Sequence, residues 1–198
     1  MSVGTVTTLE PELRWGPSAR GRLGMYYLIV AEVAIFTIFV VAYLFYMGKS
    51  LSGPTPQQVL HVPVFFTICL LSSSLTIHLA IRFLRKTRTA AFTGWWLLTL
   101  VLGITFLAGT ALEWRHLIYD EGLTIQTNLF GTTYYSLVGL HAFHVLMGLL
   151  ALSIVFIFAL LRKVTSEHAE RLDTLALYWH FVDTVWVVVF LVVYVIGR

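Results

Sequence analysis

An all-α integral membrane bundle of five transmembrane helices is the fold class this sequence predicts, and three observations carry that prediction. The 198 residues are 58% hydrophobic with a mean hydropathy of +0.84, and only 12% are charged, which is too apolar for an ordinary soluble domain. Five apolar stretches are each long enough to cross a hydrocarbon core of about 30 Å, which takes about 20 helical residues. The basic residues gather on one side of those alternating stretches. Helix is imposed by the solvent, because a segment in lipid must satisfy its own backbone hydrogen bonds; the alternating polarity of membrane barrel strands is not seen.

Taken in order, residues 1–22, "MSVGTVTTLEPELRWGPSARGR", contain no apolar core and read as a mature cytoplasmic tail and not a signal peptide. Residues 23–198 read as one five-helix domain, with helices at about 23–47, 62–84, 92–112, 133–161 and 175–196. The single cysteine, Cys69, falls in the second span and offers neither a disulfide nor a cysteine pair for a metal or redox centre; it reads as a small buried residue between helices. "SSS" at 72–74 reads as a small-residue patch that allows helices to approach closely. Connections are short except for "EWRHLIYDEGLTIQTNLFG", residues 113–131, which is expected to be an outer-face loop. There are no internal repeats, so two matching halves of a transporter are not indicated.

With the N-terminus in the cytoplasm, Arg14, Arg20, Arg22, Arg82, Arg85, Lys86, Arg88, Arg162, Lys163 and Arg171 all lie inside, leaving Lys49, Arg115 and Arg198 outside. This distribution places the C-terminus on the periplasmic or outer face. The net charge of +3 therefore speaks to topology and to anionic lipid headgroups. A nucleic-acid partner would need a basic surface on a soluble fold, and none is present.

The informative residues are the ionisable ones inside the spans: Glu32, His78, His141, His144, His180 and Asp183. Each costs a few kcal/mol near the bilayer centre and needs protein or water around it. At 1.5 Å per residue, Glu32 lies about 13 Å from the cytoplasmic edge, Asp183 about 12 Å and His144 about 14 Å, so three helices bring polar groups to one level. Glu32 has only Leu28, Ile29, Ile35 and Phe36 within one turn, so its partner must come from another helix, and His144 is the nearest candidate by depth. His141 and His144 share a face, as do His180 and Asp183, and Trp179 and Trp186 flank Asp183 on a broad face of the last helix. Interhelical hydrogen bonds that lock the bundle are one reading of these groups. Two others stay open from spacing alone: a bis-histidine haem between His78 and His180, at similar depths of about 6 to 8 Å, and a copper or zinc site at His141 and His144 with a carboxylate.

The segments "LIVAEVAIFTIFVVAYLF", "EWRHLIYDEGLTIQTNLFGTTYYSLVGLHAFHVLMGLL" and "LALYWHFVDTVWVVVFLVVYVIG" resemble subunit III of the haem-copper respiratory oxidases, the cytochrome c oxidase and quinol oxidase family. The likeness covers the chain from residue 24 onward, and "GLHAFHV" together with "YWHFVDTVW" carries most of its specificity. Many members have seven helices; this chain resembles the five-helix form that lacks the first two. The resemblance implies an accessory subunit without haem or copper of its own. It would pack against oxidase subunit I, the partner that holds those cofactors for oxygen reduction and proton pumping. It also implies other oxidase subunits as neighbours, bound phospholipid, support of proton uptake, a bacterial or other energy-transducing inner membrane, and compatibility with a respiratory supercomplex. Glu32 matches the family's intramembrane carboxylate, known for reacting with carbodiimides. His141, His144, His180 and Asp183 match motif positions taken as structural.

Three alternatives remain at this point. The small subunit associated with nitric oxide reductases shares the "YWH-x-VD-x-x-W" ending, a stand-alone membrane cytochrome b would use the histidines as haem ligands, and a proton-coupled transporter would use Glu32. No catalytic residue and no metal ligand is assigned to the chain.

Overall fold

The computed structural model describes residues 17–50 and 53–197; most of the expected N-terminal tail, with Arg14, and the C-terminal Arg198 lie outside the described residues. The elements run α1 (Pro17–Tyr46), a one-turn α2 (Pro56–Val59), α3 (Val64–Arg85), α4 (Thr89–Tyr119), α5 (Leu129–Leu160), a 3-10 turn (Ser166–His168) and α6 (Ala169–Phe190), which continues as a π-helical turn over Leu191–Ile196. Five helices among the described residues are long and apolar enough to cross a membrane. No strand occurs among the described residues.

The helices outrun the apolar windows that announce them. α1 begins at Pro17, inside the stretch expected to be tail, because proline is well suited to the first helical turn, where its missing N–H is not needed. α4, at 31 residues, is about 46 Å long against a core of about 30 Å, so its last two turns carry Glu113, Trp114, Arg115 and His116 past the apolar window without breaking the helix. The connection expected over 113–131 is correspondingly shorter. It closes at Asn128, whose side chain accepts a hydrogen bond from the Gly131 N–H at 2.8 Å and caps α5. The ends of α3 and α5 turn through left-handed residues, Thr87 (φ 57) and Arg162 (φ 56). The following amides, Arg88 N–H and Lys163 N–H, donate back to the Phe83 and Phe158 carbonyls at 3.0 Å each, closing the orphan carbonyls of each helix.

The packing places α6 at the centre of the bundle. It touches α1, α3 and α5; α3 and α4 form an antiparallel hairpin, α4 also packs on α5, and α1 lies along the seam between α5 and α6. Among the described side chains of α1, Phe36 and Tyr43 are the buried ones, while Tyr27, Val30 and Ile38 are each about two-thirds exposed. Such a surface belongs in an apolar environment. Trp179 of α6 reaches deepest, wedged between α4 and α5 where two glycines make room. A Cβ on Gly148 would stand 2.7 Å from its ring, and one on Gly103 would stand 3.1 Å away.

Trp179, Trp186 and Trp96 are each tied down by the indole N–H. Trp179 Nε1 donates to Ser73 Oγ at 2.8 Å, Trp186 Nε1 to Thr67 Oγ1 at 3.2 Å and Trp96 Nε1 to the Leu152 carbonyl at 2.9 Å. These bonds link α6 to α3 and α4 to α5, which apolar contact alone would do weakly in a lipid solvent.

Candidate functional site

The intramembrane ionisable groups separate into two seams on opposite sides of α6, with a buried histidine between them. The first seam joins α1 to α5. Glu32 projects from the inward side of a mostly exposed helix, and its Oε2 lies 3.0 Å from His144 Nε2. The other ring nitrogen, Nδ1, is 2.7 Å from the Leu140 carbonyl one turn back on α5. A carbonyl can only accept, so Nδ1 carries a hydrogen and donates. Nε2 and Oε2 must then share a further proton, held either by an imidazolium facing a carboxylate or by a carboxylic acid facing a neutral imidazole. Phe36 packs on the His144 ring at 5.0 Å between centroids, and Tyr178 O–H donates to the His144 carbonyl at 3.2 Å. The side chain of Glu32 is 18% exposed and that of His144 9%.

The second seam joins α3 to α6. Ser74 Oγ is 2.8 Å from His180 Nδ1 and donates to Asp183 Oδ2. The serine thus stands between two residues that share a face of α6. Asp183 is 4% exposed, and its second oxygen, Oδ1, has no hydrogen-bond partner among the described residues. One residue back on α3, Ser73 accepts from Trp179 and itself donates to the Leu70 carbonyl at 2.5 Å.

His141 occupies the space between the seams. It is fully buried, stacked on Trp186 with centroids 5.0 Å apart and planes 29° apart, with the Phe106 ring edge-on at 5.8 Å. Neither of its nitrogens has a hydrogen-bond partner among the described residues.

The common depth expected for Glu32, His144 and Asp183 therefore corresponds to one contact and not a three-way cluster. Glu32 meets His144, whereas Asp183 faces the other way onto Ser74. Nor do His141 and His144, three apart on one helix, act together: one stacks in the core and the other bonds to α1. Among the described residues no group of three or more His, Cys, Asp or Glu side chains is arranged to hold a metal ion.

Two participants escaped sequence reasoning. Ser74 was expected only as a small residue, yet its hydroxyl is the bridge of the second seam. Glu113 was expected in a loop, but it sits on α4 and accepts from Tyr194 O–H, with its two oxygens at 2.9 and 3.0 Å; Tyr134 O–H stands 3.4 Å from the Tyr194 oxygen. The signal was available in part, since Glu113 follows the apolar window without any helix-breaking residue.

A model of the family described as Cytochrome c oxidase subunit III matches residues 18–198. The chain is 35% identical over 177 residues to cytochrome c oxidase subunit 3 of Alkalihalophilus pseudofirmus, covering 88% of this chain and 86% of that one. It is 37% identical over 198 residues to cytochrome c oxidase subunit 3 of Corynebacterium diphtheriae, covering 99% and 88% respectively. With the probable quinol oxidase subunit 3 of Staphylococcus saprophyticus it shares 29% identity over 179 residues, 89% of each chain.

Proposed function

Because the chain belongs to the cytochrome c oxidase subunit III family, we propose that it is the accessory subunit of a terminal haem-copper oxidase in a bacterial inner membrane. In this reading it packs against subunit I, stabilises that subunit during turnover, and supports proton uptake and phospholipid binding. Haem and copper reside on the partner subunits, and the N-terminus faces the cytoplasm.

One observation carries the accessory role. Three ionisable groups inside the spans are turned onto polar groups of neighbouring helices, Glu32 onto His144 and His180 and Asp183 onto Ser74. That is the arrangement of helix-locking bonds. The exposed length of α1, with Tyr27, Val30, Val33 and Ile38 facing outward, supplies apolar surface for lipid or for a membrane partner. Glu32 is the acid proposed to relate to lipid and proton behaviour, since it lies beside that surface and shares a proton with His144. His141, His144, His180, Asp183, Trp179 and Trp186 form the proposed structural polar network.

The relatives carry oxidase names, both cytochrome c and quinol, so the oxidase reading is taken over that of a nitric oxide reductase subunit. Purification of the tagged chain from its own membrane in mild detergent tests the proposal. A haem-bearing large subunit is expected to copurify. Recovery of a stable, monodisperse and solitary chain would contradict it.

A further inference from the structure

The geometry points to a proton relay across the α3/α6 seam, in which His180 takes up a proton, Ser74 passes one on and the buried Asp183 carboxyl stores it. This goes beyond the accessory role above and stands on the hydrogen bonds of the seam together with the burial of Asp183.

Ser74 Oγ contacts both His180 Nδ1, at 2.8 Å, and Asp183 Oδ2. A hydroxyl has one hydrogen to donate and lone pairs with which to accept, so it cannot donate to both neighbours at once. Two arrangements have the serine donate to one neighbour and accept from the other. In the first, His180 Nδ1–H donates to Ser74 and Ser74 donates to an ionised Asp183. In the second, a protonated Asp183 donates from Oδ2 to Ser74 and Ser74 donates to a bare Nδ1, with the ring hydrogen on Nε2. The heavy atoms are the same in both.

The step between them balances without any co-reactant. A proton binds His180 Nε2. The Nδ1–H bond breaks as that hydrogen passes to Ser74 Oγ, and the original Ser74 O–H bond breaks as its hydrogen passes to Asp183 Oδ2. One proton has been taken up, the carboxylate has become a carboxylic acid, the serine hydroxyl is regenerated and His180 is left neutral. The reverse sequence releases the proton.

The placement of the groups suits this use. Asp183, at 4% exposure, is closed off within the bundle, whereas His180 is half-buried and keeps part of its ring at the bundle surface. Of the other ionisable groups on α6 and the helices packed against it, His78 stands one turn beyond Ser74 on α3 and Arg85 pairs with Asp173. Glu32 and His144 are bonded to each other, and His141 is stacked on Trp186.

The test is infrared difference spectroscopy on the intact membrane complex that contains this chain, titrated in H2O and in D2O. The relay predicts a carboxyl C=O band that grows as pH falls, shifts in D2O and is missing from Asp183→Asn. After a pH jump, Ser74→Ala should slow the appearance of that band by about 100-fold, the low end of what a positioned proton-transferring group contributes, and Ser74→Thr should restore it. If Ser74→Ala fails to assemble, His180→Phe leaves Ser74 on Asp183 but removes the entry nitrogen, and it predicts the same slowing. Absence of any band assignable to Asp183, or an unchanged rate in the assembled Ser74→Ala or His180→Phe complex, overturns the relay.

Discussion

Glu32 of α1 and His144 of α5 face each other across 3.0 Å, Oε2 to Nε2, with the second histidine nitrogen donating to the Leu140 carbonyl. Since Nδ1 is committed, the pair must hold one proton between them. α1 otherwise meets the bundle mainly through apolar side chains, so this contact is the polar tie between an outlying helix and the rest.

The first prediction concerns chemical access. The Glu32 side chain retains 18% exposure beside the outward apolar face of α1, whereas Asp183 is 4% exposed and bonded to Ser74 inside the α3/α6 seam. A hydrophobic carbodiimide is expected to label Glu32, with the adduct placed by mass spectrometry. An adduct at Asp183 with Glu32 untouched would reverse this assignment.

The second prediction measures the tie itself. A double-mutant cycle between Glu32→Ala and His144→Ala, read as resistance of the complex to detergent or heat, should give a coupling of about 0.6 kcal/mol and at most about 1.7 kcal/mol, the average and the upper end for hydrogen bonds between membrane helices. Strictly additive effects would show that the contact contributes nothing to assembly.

The third prediction concerns packing around Trp179. A Cβ at Gly148 would lie 2.7 Å from its ring, and the indole is held by Ser73 and has nowhere to retreat. Gly148→Ala should destabilise the folded chain by about 1 to 3 kcal/mol, as overpacked cores do. Gly94→Ala, where nothing lies within 4 Å of the added carbon, serves as the control and should be near neutral.

A fourth prediction sets the scale for the surface. Arg85 and Asp173 pair α3 with α6 where both remain partly exposed, at 59% and 35% of their side-chain areas. Exposed pairs contribute about 0 to 1 kcal/mol, so Asp173→Asn should change thermal stability less than Gly148→Ala does. A larger loss would mean that this end of the bundle depends on charge.

The spans and their number were legible because lipid selects for apolar length, and a window of hydropathy measures that property directly. The helix ends were not, because helices continue past the hydrocarbon wherever no residue breaks them, as α4 does through Glu113 and Trp114. The pairing of Glu32 with His144 could be anticipated from depth, since rise per residue converts position into height. Ser74 could not be singled out, because three consecutive serines face three directions and only the rotation of α3 against α6 decides which hydroxyl reaches Asp183. Depth alone did not assign Asp183 its partner, since it faces Ser74 of α3 and not the Glu32–His144 pair.

If this chain supports an oxidase without supplying its redox centres, as proposed, deleting it from the assembled complex is the decisive measurement. The haem absorbance bands of the remaining complex should be unchanged and oxygen reduction should begin normally, while activity is lost sooner during sustained turnover. Loss of a haem band on deletion, or on His78→Ala or His180→Ala in a complex that still assembles, would place a cofactor on this chain and contradict the account.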